Sequence, residues 1–215
     1  MTKNQRFDFG IYDVGRRMRR LLVLVSALYV ISFIAGYFAI WGSWPFAVEL
    51  RDNILKTVIK QAPFTTVTDV LRSRELPLAI GLTFLVNLCS GAFLSTTLIG
   101  VVPLLGAAGV ALVTFYRGFG LGVVYYGVLG VSPGAFVLGA GTLILELGGY
   151  VFSTAGGIAL SLATVFPNRY EVKSRWLAFR KAWRDVARLY LIVIGLLLVG
   201  AVWEMTGLFL LLGQR

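Results

Sequence analysis

The stretch that decides the fold is LPLAIGLTFLVNLCSGAFLSTTLIGVVPLLGAAGVALVTFYRGFGLGVVYYGVLGVSPGAFVLGAGTLILELGGYVFSTAGGIALSLATVFPN, residues 76–168. Its 93 residues contain only two charged side chains, Arg117 and Glu146. A helix needs about 20 apolar residues to cross the hydrocarbon core, so this stretch is long enough to cross a bilayer several times. A charge at membrane depth is expensive, which makes Arg117 and Glu146 the first candidates for a functional site.

Two further uncharged runs, residues 21–48 and 189–203, lie on either side of this stretch. Hydrophobic residues make up 58% of the 215 residues, and only 14% are charged. We therefore predict an all-α fold, a polytopic transmembrane helical bundle with about five spans, organised as a single membrane domain over residues 1–215.

The composition also limits the function. The chain has no histidine and one cysteine, Cys89, so the commonest general base, the commonest metal ligand and an internal disulfide are all missing. We accordingly predict no cofactor, no metal site, no catalytic residue and no enzymatic activity. The net charge of +10 comes from basic residues clustered at the ends of apolar runs, which indicates membrane topology and contact with anionic lipid headgroups rather than nucleic-acid binding.

The basic clusters predict the topology. A polar tail, residues 1–20, ends in Arg16-Arg17-Met18-Arg19-Arg20, and a loop, residues 167–188, carries seven Lys or Arg residues. Both should be cytoplasmic by the positive-inside rule, so an odd number of crossings must separate them after the external segment 45–75. We expect a first span at residues 21–44 and a last span at residues 189–212 that leaves the C-terminus outside the cytoplasmic membrane. We place three spans within residues 76–166, at about 76–97, 98–116 and 134–166.

This assignment gives residues 118–133 no span of their own. The segment is uncharged and glycine-rich, and either a continuation of the third helix or a re-entrant hairpin is consistent with it. A re-entrant backbone would have to be buried in protein or face water, because lipid cannot satisfy its amide groups.

The external segment, residues 45–75, has an amphipathic pattern. Phe46, Leu50, Ile54 and Val58 repeat every four residues, as on one face of a helix that begins at Pro45. Ala62-Pro63 should break this helix, and a second short helix should begin near Thr66. The pair either lies on the outer leaflet and caps the bundle, or forms a docking surface for an external partner.

Glu146 and Asn87 should meet inside the bundle. Counted from the outer face, Glu146 lies about twelve residues into its span and Asn87 about eleven residues into its own, which places both at similar depth. We expect the Asn87 amide to donate a hydrogen bond to the Glu146 carboxylate, with Arg117 as the other candidate partner. Such a contact would either fix the helix register or serve proton or solute coupling.

Two more sets of residues are candidates for helix packing and for surface contact. Gly149, Ser153 and Gly157 repeat at a spacing of four, which lets helices approach closely, either within the chain or across a homodimer seam.

In the basic loop, aromatic residues share a helical face opposite basic ones, as in an interfacial helix that contacts anionic headgroups or a partner protein. This lipid or partner surface comprises Arg175, Trp176, Arg180, Lys181, Trp183 and Arg184. The GxGxG sequence at Gly118, Gly120 and Gly122 lacks the strand–helix context of a dinucleotide loop.

The order of these features resembles the stage II sporulation protein M family of prokaryotic membrane proteins. The resemblance covers about residues 16–162. It rests on the basic and then apolar first span, the amphipathic outer segment, Phe84-x-x-Asn87-x-x-x-Gly91, and the stretches 115–122, 145–150 and 155–157. Gly141-Thr142-Leu143 stands where the family usually has Pro-His-Gly, and Arg117 stands where Asn is commoner.

The resemblance implies a non-enzymatic membrane scaffold that recruits or anchors other membrane or envelope proteins. A small solute or ion transporter, or the membrane subunit of a transport complex, is the alternative, with Glu146, Asn87 and Arg117 along the path.

Overall fold

The computed structural model describes residues 11–128 and 132–213, and within them every regular element is helical. The seven α-helices are α1 Ile11–Trp41, α2 Pro45–Asn53, α3 Phe64–Arg72, α4 Leu76–Val86, α5 Leu105–Val128, α6 Pro133–Val165 and α7 Arg175–Gly213. Three shorter pieces extend or join them. A π-helical turn, Ile54–Val58, follows α2; a π-helix, Asn87–Leu98, and a 3₁₀ turn, Ile99–Val101, continue α4; and a 3₁₀ turn, Pro167–Tyr170, precedes α7.

Five helices are long and apolar enough to cross a membrane. They are Asp13–Trp41, Leu76–Val101, Leu105–Gly127, Pro133–Val165 and Arg175–Leu211. Leu76–Val101 consists of α4 with its two extensions and is called the α4 span below. The prediction of an all-α bundle with about five spans is confirmed.

Proline and serine set where several helices begin. Pro45 opens α2 and Pro133 opens α6, where the missing N–H of proline costs nothing. The Ser132 hydroxyl caps α6 by accepting a hydrogen bond from the Ala135 amide at 3.2 Å. The helix predicted to begin at Pro45 is therefore present, and the break at Ala62-Pro63 separates it from α3.

The predicted boundary between the second and third spans was wrong. The chain reverses at Val102-Pro103-Leu104, where Val102 is extended and Leu104 has a φ of 59°. Ser161 of α6 holds this turn, because its hydroxyl donates to the Val102 carbonyl at 2.8 Å and accepts from the Ala107 amide at 2.9 Å. The third span consequently begins at Leu105 rather than at residue 98.

Residues 118–128 are helical and continue α5, which is the first of the two alternatives for this segment. Residues 129–131, the middle of the remaining stretch, lie outside the described residues. The glycines of the segment serve packing: side chains at Gly118 and Gly122 would collide with the Tyr29–Ser32 turn and the Phe33 carbonyl of α1. Glycine at these positions thus lets α1 and α5 cross in close contact.

The helices alternate in direction and so define two ends of the molecule. The basic end holds the start of α1 and the start of α7, which are joined by a salt bridge of 2.8 Å between Arg17 Nη2 and Asp185 Oδ1. The opposite end, called the α2–α3 end, holds the two short helices. The contact places both basic segments at one end of the bundle, with three spans between α3 and α7.

Both basic segments are more helical than predicted. Residues 11–20 belong to α1 instead of a polar tail, and residues 1–10 of that tail lie outside the described part of the chain. Residues 175–188 and the last span form one continuous helix, α7, instead of a separate interfacial helix followed by a span. Arginine, lysine and alanine favour helix, and neither junction contains a proline, so nothing interrupts the backbone there.

Candidate functional site

The structure brings Glu146 and Asn87 together inside the bundle. Glu146 lies on α6, thirteen residues from Pro133, and Asn87 lies eleven residues from Leu76 at the start of the π-helix. At 1.5 Å per residue these are depths of about 20 and 17 Å from the same end. The Asn87 Nδ2 donates a hydrogen bond to Glu146 Oε1 at 2.6 Å.

Tyr150 extends this contact. Its hydroxyl donates to Asn87 Oδ1 at 3.0 Å, so both functional atoms of the asparagine amide are bonded. Tyr150 lies one helical turn after Glu146 and is buried, with 6% of its surface exposed. Gly91 makes room for it, because a side chain at that position would overlap the Tyr150 ring.

Arg117 contacts this group through Tyr150 and not through Glu146. Its guanidinium carbon lies 4.2 Å from the centroid of the Tyr150 ring, a distance typical of a cation–π interaction. Its Nη2 donates to Ser95 Oγ at 2.7 Å, and Ser95 donates in turn to the Gly91 carbonyl. Nη1 of Arg117 is buried without a hydrogen-bond partner within the described residues.

These contacts link five residues from three spans, which we call the polar cluster. Its members are Asn87, Ser95, Arg117, Glu146 and Tyr150. Each donates to, accepts from or stacks on another member, so the α4 span, α5 and α6 are joined by polar contacts near the middle of the bundle. A π-helix is rare and often marks a functional site, and here it carries Asn87 and Ser95.

Glu204 is a site residue that sequence reasoning missed. It lies on α7 one turn beyond Gly200, and a side chain at Gly200 would contact Glu146 Cγ at 3.6 Å. Glu204 is therefore four residues from the point where α7 packs against Glu146, on the same face of the helix. The signal was present in the sequence, since Glu204 directly follows the uncharged run 189–203 within the last predicted span.

The small-residue stripe is buried within the chain. Gly149 packs against Leu197 of α7, Ser153 is fully buried, and Gly157 lies against the backbone of Thr96 in the π-helix. The three positions therefore serve packing inside one molecule, and this stripe is not a free surface for a homodimer.

The predicted lipid or partner surface at the start of α7 is divided between two regions. Trp176 is 66% exposed and, with Arg175, lines a groove at the end of α6. Lys181 and Arg184 instead face a cleft beside Arg17. Trp183 packs partly against the core and Arg180 is exposed.

The comparisons with known proteins identify the family. The family model described as stage II sporulation protein M matches residues 24–206, a range that includes the whole polar cluster and Glu204. No curated protein and no solved structure gave a significant match. The match covers most of the chain and confirms the resemblance drawn from the sequence. This multi-pass membrane protein belongs to the stage II sporulation protein M family.

Proposed function

We propose that the protein is a scaffold of the cytoplasmic membrane that recruits or anchors partner proteins and carries no catalytic activity. In this proposal the basic end lies in the cytoplasm, and the α2–α3 end and the C-terminus lie outside. Partners bind the α2–α3 end, and anionic lipid headgroups surround the basic end.

The observation that carries the proposal is the surface of the α2–α3 end. Large apolar side chains outside the five spans are exposed there, from 39% for Val58 to 54% for Phe46. We call this set the α2–α3 surface; it comprises Phe46, Leu55, Val58, Ile59 and Phe64. An exposed apolar surface outside the spans is typical of a site for protein or membrane contact.

This surface is mounted firmly on the bundle. Ala47 of α2 is fully buried against Ala39 and Ile40 of α1 and Val123 of α5. On the other short helix, Leu71 of α3 is buried against Ala79 and Met205. Both short helices are thus fixed to the spans by buried side chains, which supports a binding surface that is already formed before a partner binds.

Photo-cross-linking separates a docking surface from a surface that merely rests on the outer leaflet. A photoreactive amino acid is introduced at Phe46 or Phe64 in cells, and at Ile144 as the matched control, since Ile144 is apolar, 71% exposed and in the middle of α6. The scaffold proposal expects discrete protein adducts from Phe46 or Phe64 and lipid adducts alone from Ile144. Lipid adducts from all three positions would refute it.

The orientation has its own test. In a Cys89→Ser background, cysteines at Lys56 and Lys173 are reacted with a membrane-impermeant maleimide in intact cells. We expect labelling at Lys56 alone, because Lys56 belongs to the α2–α3 end and Lys173 to the basic end. Labelling at Lys173 would reverse the proposed topology.

A transport function is the second candidate, and one observation favours it. Glu146 lies within the spans, and Arg117 Nη1, in the same polar cluster, is buried without a hydrogen-bond partner in the described chain. A transporter predicts proton or solute flux in liposomes that Glu146→Gln abolishes, whereas Glu49→Gln in α2 leaves it unchanged. Absence of flux for a panel of ions and small solutes would leave the scaffold as the function.

A further inference from the structure

A cleft at the basic end is lined by more positive charge than the acids of the described residues neutralise. It consists of two adjoining cavities of about 330 and 290 Å³ that share Arg17, Arg169, Tyr170 and Asp185. Its walls come from four elements: the start of α1, the last third of α6, the 3₁₀ turn Pro167–Tyr170 and the start of α7. It is therefore a built concave site and not only a basic helix face.

The buried acid of the cleft, Asp185, is already paired with arginine side chains. Asp185 is 4% exposed and accepts from Arg17 Nη2 at 2.8 Å, with Arg188 Nη1 at 3.6 Å from the same oxygen. Five further cations line the cleft, and within the part of the chain that the structure describes they form no salt bridge there. They are Arg16, Arg20, Arg169, Lys181 and Arg184. Glu171 is the other acid on the lining.

The cleft also offers a neutral donor. Burial, with the Asp185 carboxylate as the second cause, raises the pKa of Tyr170 to about 12, so its hydroxyl keeps its proton at physiological pH. Lys181 Nζ is held in place by a hydrogen bond of 3.1 Å to the Tyr170 carbonyl. Preplaced guanidinium, ammonium and hydroxyl donors suit an oxyanion with several acceptor atoms.

The position of the cleft indicates the source of that anion. Met18, Leu21 and Ala159 form an apolar part of its lining, and the uncharged run of the first span begins at Leu21. The cleft thus lies where the charged end of the bundle meets its apolar surface. A phospholipid has the matching arrangement, an anionic phosphate above acyl chains.

We propose that this cleft binds the phosphate headgroup of a single anionic phospholipid, with Arg169, Arg184 and Lys181 as its cationic ligands. The site is distinct from the general attraction between basic residues and an anionic leaflet, because its ligands come from separate elements and converge on one cavity. It does not depend on the scaffold role proposed above.

The test measures binding of phosphatidylglycerol to the purified full chain in detergent, by native mass spectrometry and by titration. We expect saturable binding of one lipid per chain. One basic residue near an anionic surface contributes about fivefold in affinity, so Arg169→Gln with Arg184→Gln should weaken binding about 25-fold. These two residues are chosen because neither forms a salt bridge with any residue that the structure describes, and circular dichroism checks that the variant remains folded.

The matched control is Arg175→Gln with Arg180→Gln, which removes the same charge from the basic end but from outside the cleft. It should weaken binding less than about twofold. Equal weakening by the two double variants, or the lack of a saturable lipid, would overturn the proposal. Glycerol 3-phosphate and inorganic phosphate form the third arm: if either competes at the affinity of the lipid, the ligand is a soluble phosphate and the lipid assignment is wrong.

Discussion

Gly157 should be one of the glycines at which even one added methyl group destabilises the fold. It lies where α6 meets the α4 span with almost no side chain between them, because Gly157 faces the Thr96 carbonyl and Gly100 faces the Gly157 backbone. A methyl group at position 157 would overlap the Thr96 carbonyl. Backbone atoms cannot rotate away as a side chain can, so the two helices would have to separate.

The magnitude follows from two opposing effects. Overpacking costs about 1 to 3 kcal/mol, and the upper value applies because the obstacle is backbone. Replacing a mid-helix glycine by alanine returns about 0.5 to 1 kcal/mol. Gly157→Ala should therefore lower the free energy of unfolding by about 2 kcal/mol.

The assay is reversible unfolding in mixed micelles with increasing SDS, followed by circular dichroism. The matched control is Gly148→Ala on the same helix, where an added methyl would meet Leu196 Cδ1 at 3.4 Å, an ordinary contact. It should be neutral or stabilising by up to about 1 kcal/mol. If the two variants prove equally stable, the close approach of α6 to the α4 span is not as described.

Three further predictions concern the polar cluster and the cleft. Tyr150→Phe removes the hydrogen bond to Asn87 but keeps the ring under Arg117, so the same assay should show that the free energy of unfolding falls by about 0.6 kcal/mol. A fall of more than about 2 kcal/mol would mean that the hydroxyl does more than join two helices. Arg17→Gln removes the nearest partner of the buried Asp185 carboxylate and should lower the free energy of unfolding by about 1 to 2 kcal/mol, because Arg17 is half exposed and Arg188 remains at 3.6 Å. Asp185→Asn should restore much of this loss in the double variant, and no recovery would contradict the pairing. Burial raises the pKa of Tyr170 from about 10 in the unfolded chain to about 12 in the fold, so its contribution to stability is complete below pH 10 and is lost as the pH rises from about 10 to 12. Tyr170→Phe should therefore make the free energy of unfolding less sensitive to pH in that window. An unchanged slope of the free energy against pH would contradict this.

The number of spans could be predicted because a charged side chain inside a bilayer is so costly that long uncharged runs mark the spans. The residues at which the spans begin and end could not be predicted in this way. The reversal at residues 102–104 contains no charge, and Pro103 alone does not distinguish a turn from a kink. For the glycine-rich segment that begins at Gly118, the sequence left open a continued helix or a re-entrant hairpin. Gly118 and Gly122 serve a close crossing with α1, which depends on a neighbour distant in sequence.

The polar cluster was partly predictable for the same reason. Counting residues from one face placed Asn87 and Glu146 at one depth, and the hydrogen bond between them agrees with that count. Ser95 gave no signal, because serine is common in spans and its role depends on the rotation of the π-helix. The cleft depends on contact between Arg17 and Asp185, which are 168 positions apart, and no local pattern links them.

The unbroken course of α7 has a mechanical consequence. Its 39 residues extend about 58 Å, whereas a bilayer with its headgroup regions is about 40–45 Å thick. This one helix bears the basic cleft near its start and the contact of Met205 with α3 nearer its end. Because the backbone of α7 is continuous between these two points, a tilt of the helix at the basic end would move the residues around Met205 in the opposite direction.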